Sequence, residues 1–231
     1  MAGLSVWTWG PELWKMLMLF AYQSDEGMKM ENLSILFRRL GPLLPCRYCR
    51  ESYPILLAQV EVQTPIDEAI ATRRMVKFVY DLHNKVNRKL ALQRLEKLQP
   101  HCQIFNSEEM LNVLDNHPSF DIVQKRNLLF KEDPLNFEAV LLILTALLER
   151  SDSTPKTYLL MMCTVRQALL NVGLPRYQEL ALRLPIETLD DDRIMALVKM
   201  RSLFALMFQT ENLQMKLDLM VSGSCMKGTC I

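Results

Sequence analysis

Glycine is scarce in this chain, with 7 among 231 residues. That scarcity argues against sheet-and-turn architectures, while the dominance of Leu, Met, Ala, Gln, Glu, Lys and Arg favours helix. No excess of charge of either sign is present: 27 basic residues face 26 acidic ones, a formal net charge of +1. A nucleic-acid or anionic-membrane partner would usually demand a strongly basic domain, so neither is expected. Long hydrophobic runs are also missing. The most apolar stretch, residues 137–148, is interrupted by Glu138 and is too short to cross a hydrocarbon layer of about 30 Å. It reads as a buried core helix, and no membrane span is expected. The N-terminus, Met1-Ala-Gly-Leu-Ser-Val-Trp-Thr-Trp-Gly, lacks the basic region of a secretory signal and the Arg-rich pattern of a transit peptide. A cytoplasmic location is the expectation. Cysteine is sparse too, at positions 46, 49, 102, 163, 225 and 230. This spacing does not suit the disulfide framework of a small secreted domain, so the thiols read as working groups.

What is present is a half-apolar chain long enough for one large domain or two small ones. The fold class read from it is all-α. A first helix is expected over residues 10–22, opening at Gly10-Pro11-Glu12. On it Trp14, Leu17, Met18, Ala21 and Tyr22 share one face. A second, residues 30–40, stops at Gly41-Pro42. Pro45 precedes a third helix that takes Cys46 to Tyr53 in its first two turns and ends near Ala58. Thr64-Pro65-Ile66-Asp67-Glu68 then supplies an N-cap hydroxyl, an early Pro and first-turn acids for a long fourth helix reaching about Leu95. Beyond Gln99-Pro100 the segments shorten, broken at sites such as Asp133-Pro134 and Gly173-Leu-Pro175. The reading divides the chain into a domain over residues 1–103, a second helical domain over 104–218 and a flexible tail over 219–231 that carries Cys225 and Cys230.

The chemistry centres on Cys46-Arg-Tyr-Cys49. At a helix start, backbone N–H groups and the helix dipole favour a thiolate on the first sulfur, and the second lies one turn on, within disulfide reach. Arg47 and Arg50 add positive charge. The same spacing also opens zinc sites and thioredoxin-like motifs, so alone it leaves those alternatives open. Its company adds weight: Trp14 and Tyr22 upstream, with His83, Asn84 and Asn87 downstream, are groups of the kind that stack on and hold a planar nucleotide cofactor. Taken one at a time, His83 reads more readily as a structural histidine and the aromatic stripe as core.

These pieces together resemble the Erv/ALR family of FAD-dependent sulfhydryl oxidases. The match is carried by Gly10-x-x-x-Trp14-x-x-Leu17 with Ala21-Tyr22, then Pro45-Cys46-x-x-Cys49-x-x-x-Tyr53, then His83-Asn84-x-Val86-Asn87-x-x-Leu90. Order and approximate spacing agree over residues 7 to 95, about two-fifths of the chain. The resemblance implies a four-helix bundle with a short fifth helix enclosing FAD, and a homodimer. It implies electron flow from protein thiols through the cysteine pair to FAD and then to O₂, giving H₂O₂. Cys49 would meet the flavin and Cys46 would exchange with the incoming thiol. Gly10, Trp14, Met18, Tyr22, His83, Asn84, Val86, Asn87, Lys89 and Leu90 would surround the cofactor, and no metal is expected.

This chain departs from the family pattern in places. Met18 stands where the family usually has His, and Ala91-Leu92 stand where a basic residue often follows, leaving Lys85, Arg88 or Lys89 to meet the pyrophosphate. Cys102 has no suitably placed neighbour for the family's further structural disulfide; pairing with Cys163 and two separate thiols are both open. Cys225 and Cys230, with four residues between them in a Gly-flanked segment, resemble the shuttle pairs of some family members. Family members in large DNA viruses carry extra helical regions, and a host-cytoplasmic or virion location follows from that analogy. The rival readings are a structural zinc module, with Cys46 and Cys49 joined by His83 or by His101 and Cys102, and a helical interaction protein with incidental cysteines.

Overall fold

The computed structural model describes residues 6–98, 144, 155–186, 198–200 and 202. Among them there is no strand; the chain is helical, as its composition requires. Seven α-helices are described: α1 Val6–Asp25, α2 Leu33–Arg39, α3 Arg47–Glu61, α4 Ile66–Ala71, α5 Met75–Leu98, α6 Pro155–Val172 and α7 Pro175–Arg183, with a 3₁₀ turn over Gly41–Leu43. No described helix is long and apolar enough to cross a membrane.

Helix α1 starts a turn earlier than Gly10-Pro11 and keeps Pro11 inside it. Burial of Trp9 in the core explains the earlier start, since packing outweighs the backbone bond that Pro11 cannot make. The helix also runs past Tyr22 to Asp25, where Gly27 takes a left-handed φ of 79°. The Met28 N–H reaches the Gln23 carbonyl at 2.9 Å and the Gly27 N–H reaches that of Ser24 at 3.0 Å, a Schellman stop. Helix α2 is shorter than expected, because Asn32 adopts a left-handed φ of 59° as its N-cap and delays entry to Leu33.

The long fourth helix expected from Thr64 onward is two helices. Thr64 makes no cap; Pro65 occupies the N-cap of α4, with no side-chain bond. The chain then breaks after Ala71, with Arg73 at φ 56°, and restarts as α5 at Met75. The restart is held from a distance: the Asp25 carboxylate at the end of α1 accepts the backbone N–H groups of Met75 at 2.7 Å and Val76 at 2.9 Å. A carboxylate on the first N–H groups of a helix satisfies orphan donors and complements the dipole. This carboxylate ties the end of α1 to the start of α5, two helices that pack along each other.

One buried apolar cluster runs through Phe20, Phe37, Phe78 and Val79 and continues into Tyr158, Met161 and Met162 of α6. Helix α6 thus packs on α1 and α2. Its seat is polar as well as apolar. Buried Gln23 donates to the Ala168 carbonyl at 2.9 Å, and Asn171 donates to the Lys29 carbonyl at 3.1 Å. The break read at Gly173-Leu-Pro175 is present, with Gly173 at φ 77° between α6 and α7. Leu144, from the apolar stretch read as a core helix, is helical and fully buried, and its carbonyl accepts from the Tyr158 hydroxyl at 2.7 Å. The boundaries drawn near residues 103 and 218, and the tail with Cys225 and Cys230, lie outside the described residues.

Candidate functional site

Cys46 is not inside α3 but caps it. Its backbone is extended (φ −89°, ψ 124°), and its sulfur accepts the Cys49 N–H at 3.4 Å. Cys49 follows within the first turn. Both cysteines are reduced. Cys46 is buried and Cys49 half-buried, each packed at the edge of the common core.

The two sulfurs differ in proton affinity. The hydrogen bond from the Cys49 thiol, together with the Cys49 and Tyr48 backbone N–H groups and the Lys89 charge, lowers Cys46 to about 6 against the opposing effect of burial. The same shared bond, then burial and the neighbouring anion, push Cys49 well above the ordinary thiol value. Lys89 and Arg50 pull it back only in part. Both shifts favour the anion on Cys46, whose sulfur caps the helix, over the anion on Cys49.

An apolar cleft opens beside the pair. Three helices wall it, each offering a face at three- and four-residue spacing. Helix α1 gives Trp9, Gly10, Leu13, Trp14 and Leu17; α3 gives Tyr48, Cys49, Ser52, Tyr53 and Leu56; α5 gives Val86, Lys89, Leu90 and Gln93. Leu40 and Leu44 close the remaining side. The Tyr53 hydroxyl donates to the Phe37 carbonyl at 2.9 Å, which fixes α3 against α2 beneath the cleft. Burial raises the Tyr53 phenol above its ordinary value, so this donor stays protonated.

Of the residues singled out from the sequence, Gly10, Trp14, Cys49, Val86, Lys89 and Leu90 lie together on the cleft wall. His83 stands just behind it, its ring centroid 4.5 Å from that of Trp14 at an interplanar angle of 39°. Met18 and Tyr22 are half-buried further along α1 and pack against the core. Asn84 and Asn87 are half-buried on α5 and are not among the lining residues. Cys46 lies beside the cleft rather than on its wall. Cys163 is exposed on α6, and Cys102, Cys225 and Cys230 lie outside the described residues.

Trp9, Leu13, Leu40, Leu44, Tyr48, Ser52, Leu56 and Gln93 also line the cleft and were not singled out from the sequence. Periodicity could have found most of them. Trp9, Leu13 and Leu17 recur every four residues, Cys49, Ser52 and Leu56 recur at three and four, and Gln93 continues the face of Val86 and Lys89. Among the described residues no group of three His, Cys, Asp or Glu side chains is placed to hold a metal ion, so His83 does not complete a zinc site with the two cysteines. The variant of that rival that uses His101 and Cys102 lies outside the described residues.

Searches against protein-family models, curated proteins and solved structures return no match to this chain.

Proposed function

We propose that the chain is a FAD-dependent sulfhydryl oxidase of the Erv/ALR type. It oxidises protein dithiols to disulfides, with O₂ as the final acceptor and H₂O₂ as the product. The observation that carries this reading is a reduced Cys-x-x-Cys whose second cysteine lies on the wall of an aromatic cleft that also presents a lysine.

The cleft's chemistry suits the cofactor. Flat indole and phenol surfaces from Trp9, Trp14, Tyr48 and Tyr53, with Leu17, Val86 and Leu90 between them, match a planar apolar ring system, and Lys89 offers a cation for its anionic parts. Met18, Tyr22, His83, Asn84 and Asn87 are read as its more distant contacts, on the strength of the family resemblance. The four-helix flavin module is assigned to α1, α2, α3 and α5, with α4 as its short helix. Bound there, FAD would supply a two-electron acceptor that reoxidises the cysteine pair and returns to its oxidised form by reducing O₂.

The chain's own part is thiol exchange. A substrate thiolate attacks the Cys46 sulfur of the oxidised pair, the Cys46–Cys49 bond breaks, and Cys49 leaves with the electron pair. The second substrate thiol then attacks the mixed disulfide, displacing Cys46 and releasing the substrate as a disulfide. Cys46 suits this role because a sulfur of lowered pKa is a good leaving group. Cys49 faces the cleft and so passes the two electrons on, giving up its thiol proton. We read Cys225 and Cys230 as a shuttle that collects electrons from bulky substrates, and the protein as a homodimer.

Purified protein should be yellow, with flavin released on denaturation, and should consume O₂ with dithiothreitol while forming H₂O₂. Colourless protein with stoichiometric zinc would instead establish the zinc module. Cys225→Ser should spare the dithiothreitol reaction and slow oxidation of a reduced protein; equal loss on both would remove the shuttle.

A further inference from the structure

A cation near the N-terminus of a helix opposes the positive end of the dipole, yet α3 carries two arginines in its first turn, Arg47 and Arg50. Arg47 has an ordinary explanation. Its side chain is 79% exposed and pairs with Glu51 four residues on, at 2.8 Å. Arg50 is different, because its guanidinium turns back from the helix towards the chain that precedes it. There Nη1 donates to the Leu44 carbonyl at 2.8 Å and to the Pro45 carbonyl at 3.2 Å.

Those two carbonyls need a partner. Leu44 and Pro45 are buried between the Gly41–Leu43 turn and the first residue of α3; the Leu44 N–H closes the turn on the Gly41 carbonyl at 3.0 Å, but the carbonyls of Leu44 and Pro45 point beyond it. A buried carbonyl without a donor is costly, and an arginine can donate to two acceptors at once. The segment ends in Cys46, whose sulfur accepts the Cys49 N–H at 3.4 Å and also meets the Tyr48 N–H and the Cys49 thiol. All of these donors belong to the first turn of α3, so the sulfur reaches them only if the backbone on either side of Cys46 is held in place. On the helix side the Arg50 N–H reaches the Cys46 carbonyl at 3.0 Å; on the loop side the Arg50 side chain holds Pro45 and Leu44.

We propose that Arg50 is a positioning residue for the cysteine pair: its two-carbonyl clamp holds the Leu44-Pro45 segment so that the Cys46 sulfur sits at the N-cap of α3. The geometry stands without any assumption about activity. Its consequence for turnover rests on the oxidase reading, in which Cys46 must return to the same place after each mixed disulfide. The charged and titratable groups that face Cys46 are Cys49, on its own helix, and Lys89, from α5. Arg50 acts on Cys46 through backbone placement rather than through its charge, and it faces Cys49 as a charge.

The test is the pH profile of Cys46 alkylation by iodoacetamide in the reduced full-length protein, for wild type, Arg50→Met and Arg50→Lys. Trypsin cleavage at Arg47 puts Cys46 and Cys49 on separate peptides, so mass spectrometry reads Cys46 alone. Wild type should show a Cys46 midpoint well below that of an ordinary thiol. In Arg50→Met the midpoint should rise by about one unit, lowering the alkylation rate at pH 6 roughly fivefold, and Arg50→Lys should fall between the two. A merely structural role would lower the melting temperature while leaving the midpoint of the folded protein unchanged, and that result overturns the proposal. Should Arg50→Met fail to fold, Arg50→Lys carries the test, since an unshifted midpoint with the two-carbonyl clamp reduced to a single ammonium overturns it equally. Failure of the oxidase reading would show separately, as protein without flavin whose Cys46 profile still responds to Arg50.

Discussion

Replacing Asp25 by alanine removes the contact that starts α5. Two backbone N–H groups, of Met75 and Val76, lose a carboxylate that accepts them at 2.7 and 2.9 Å. Loss of an N-cap side chain costs roughly 0.5–2 kcal/mol. Here an opposing effect reduces the gain: burial outweighs the two backbone donors and raises the Asp25 carboxyl above its ordinary value of 3.8, with Glu26 adding a little. The ionised cap therefore gives up part of its hydrogen-bond energy to desolvation, which places the cost near neutral pH at about 1 kcal/mol. For a chain of this size that is a fall in melting temperature of about 2–4 °C. The sign with pH follows from the raised value. The folded chain binds this proton more readily than the unfolded one, so the group's contribution is fully present below pH 3.8 and is lost as pH rises through the folded value. The gap between wild type and Asp25→Ala should thus widen on acidification, and Asp25→Asn, which keeps one acceptor, should recover about half of it. Thermal denaturation followed by circular dichroism at several pH values measures this. An unchanged melting temperature, or a gap that narrows on acidification, refutes the account of the helix break.

Tyr53→Phe leaves the buried Phe37 carbonyl without its 2.9 Å donor and should cost about 1–2 kcal/mol in urea titration; a neutral result would mean that the hydroxyl does not fix α3 on α2. Lys89→Met removes the cation that favours the anionic form of both sulfurs, so the Cys46 alkylation midpoint should rise. An unmoved midpoint would show that Lys89 does not face the pair.

Local chemistry made the all-α class and much of the cleft legible in the sequence. Helical spacing put Trp14 and Leu17 on one face and His83, Val86, Asn87 and Leu90 on another; Trp14, Leu17, Val86 and Leu90 line the cleft, whereas His83 and Asn87 do not. Cys46 and Cys49 were recognisable as a helix-start pair, though the sequence left Cys46 inside the helix, whereas its extended backbone makes it the cap. The break between α4 and α5 was not legible, because the residue that enforces it, Asp25, lies 50 positions away from Met75. The seat of α6 was hidden for the same reason: Gln23 and Ala168 meet across 145 positions. Arg50 looked like added charge beside the thiols, and only its fold-back onto Leu44 and Pro45 distinguishes it from Arg47.

The most direct test of the central claim is anaerobic reduction of the purified protein's flavin by dithiothreitol, followed by visible absorbance in wild type and Cys49→Ser. The account predicts flavin in both proteins, rapid bleaching in wild type, recovery on admitting O₂, and no thiol-driven bleaching in Cys49→Ser. Protein that binds no flavin, or a Cys49→Ser flavin that bleaches as fast as wild type, would contradict it.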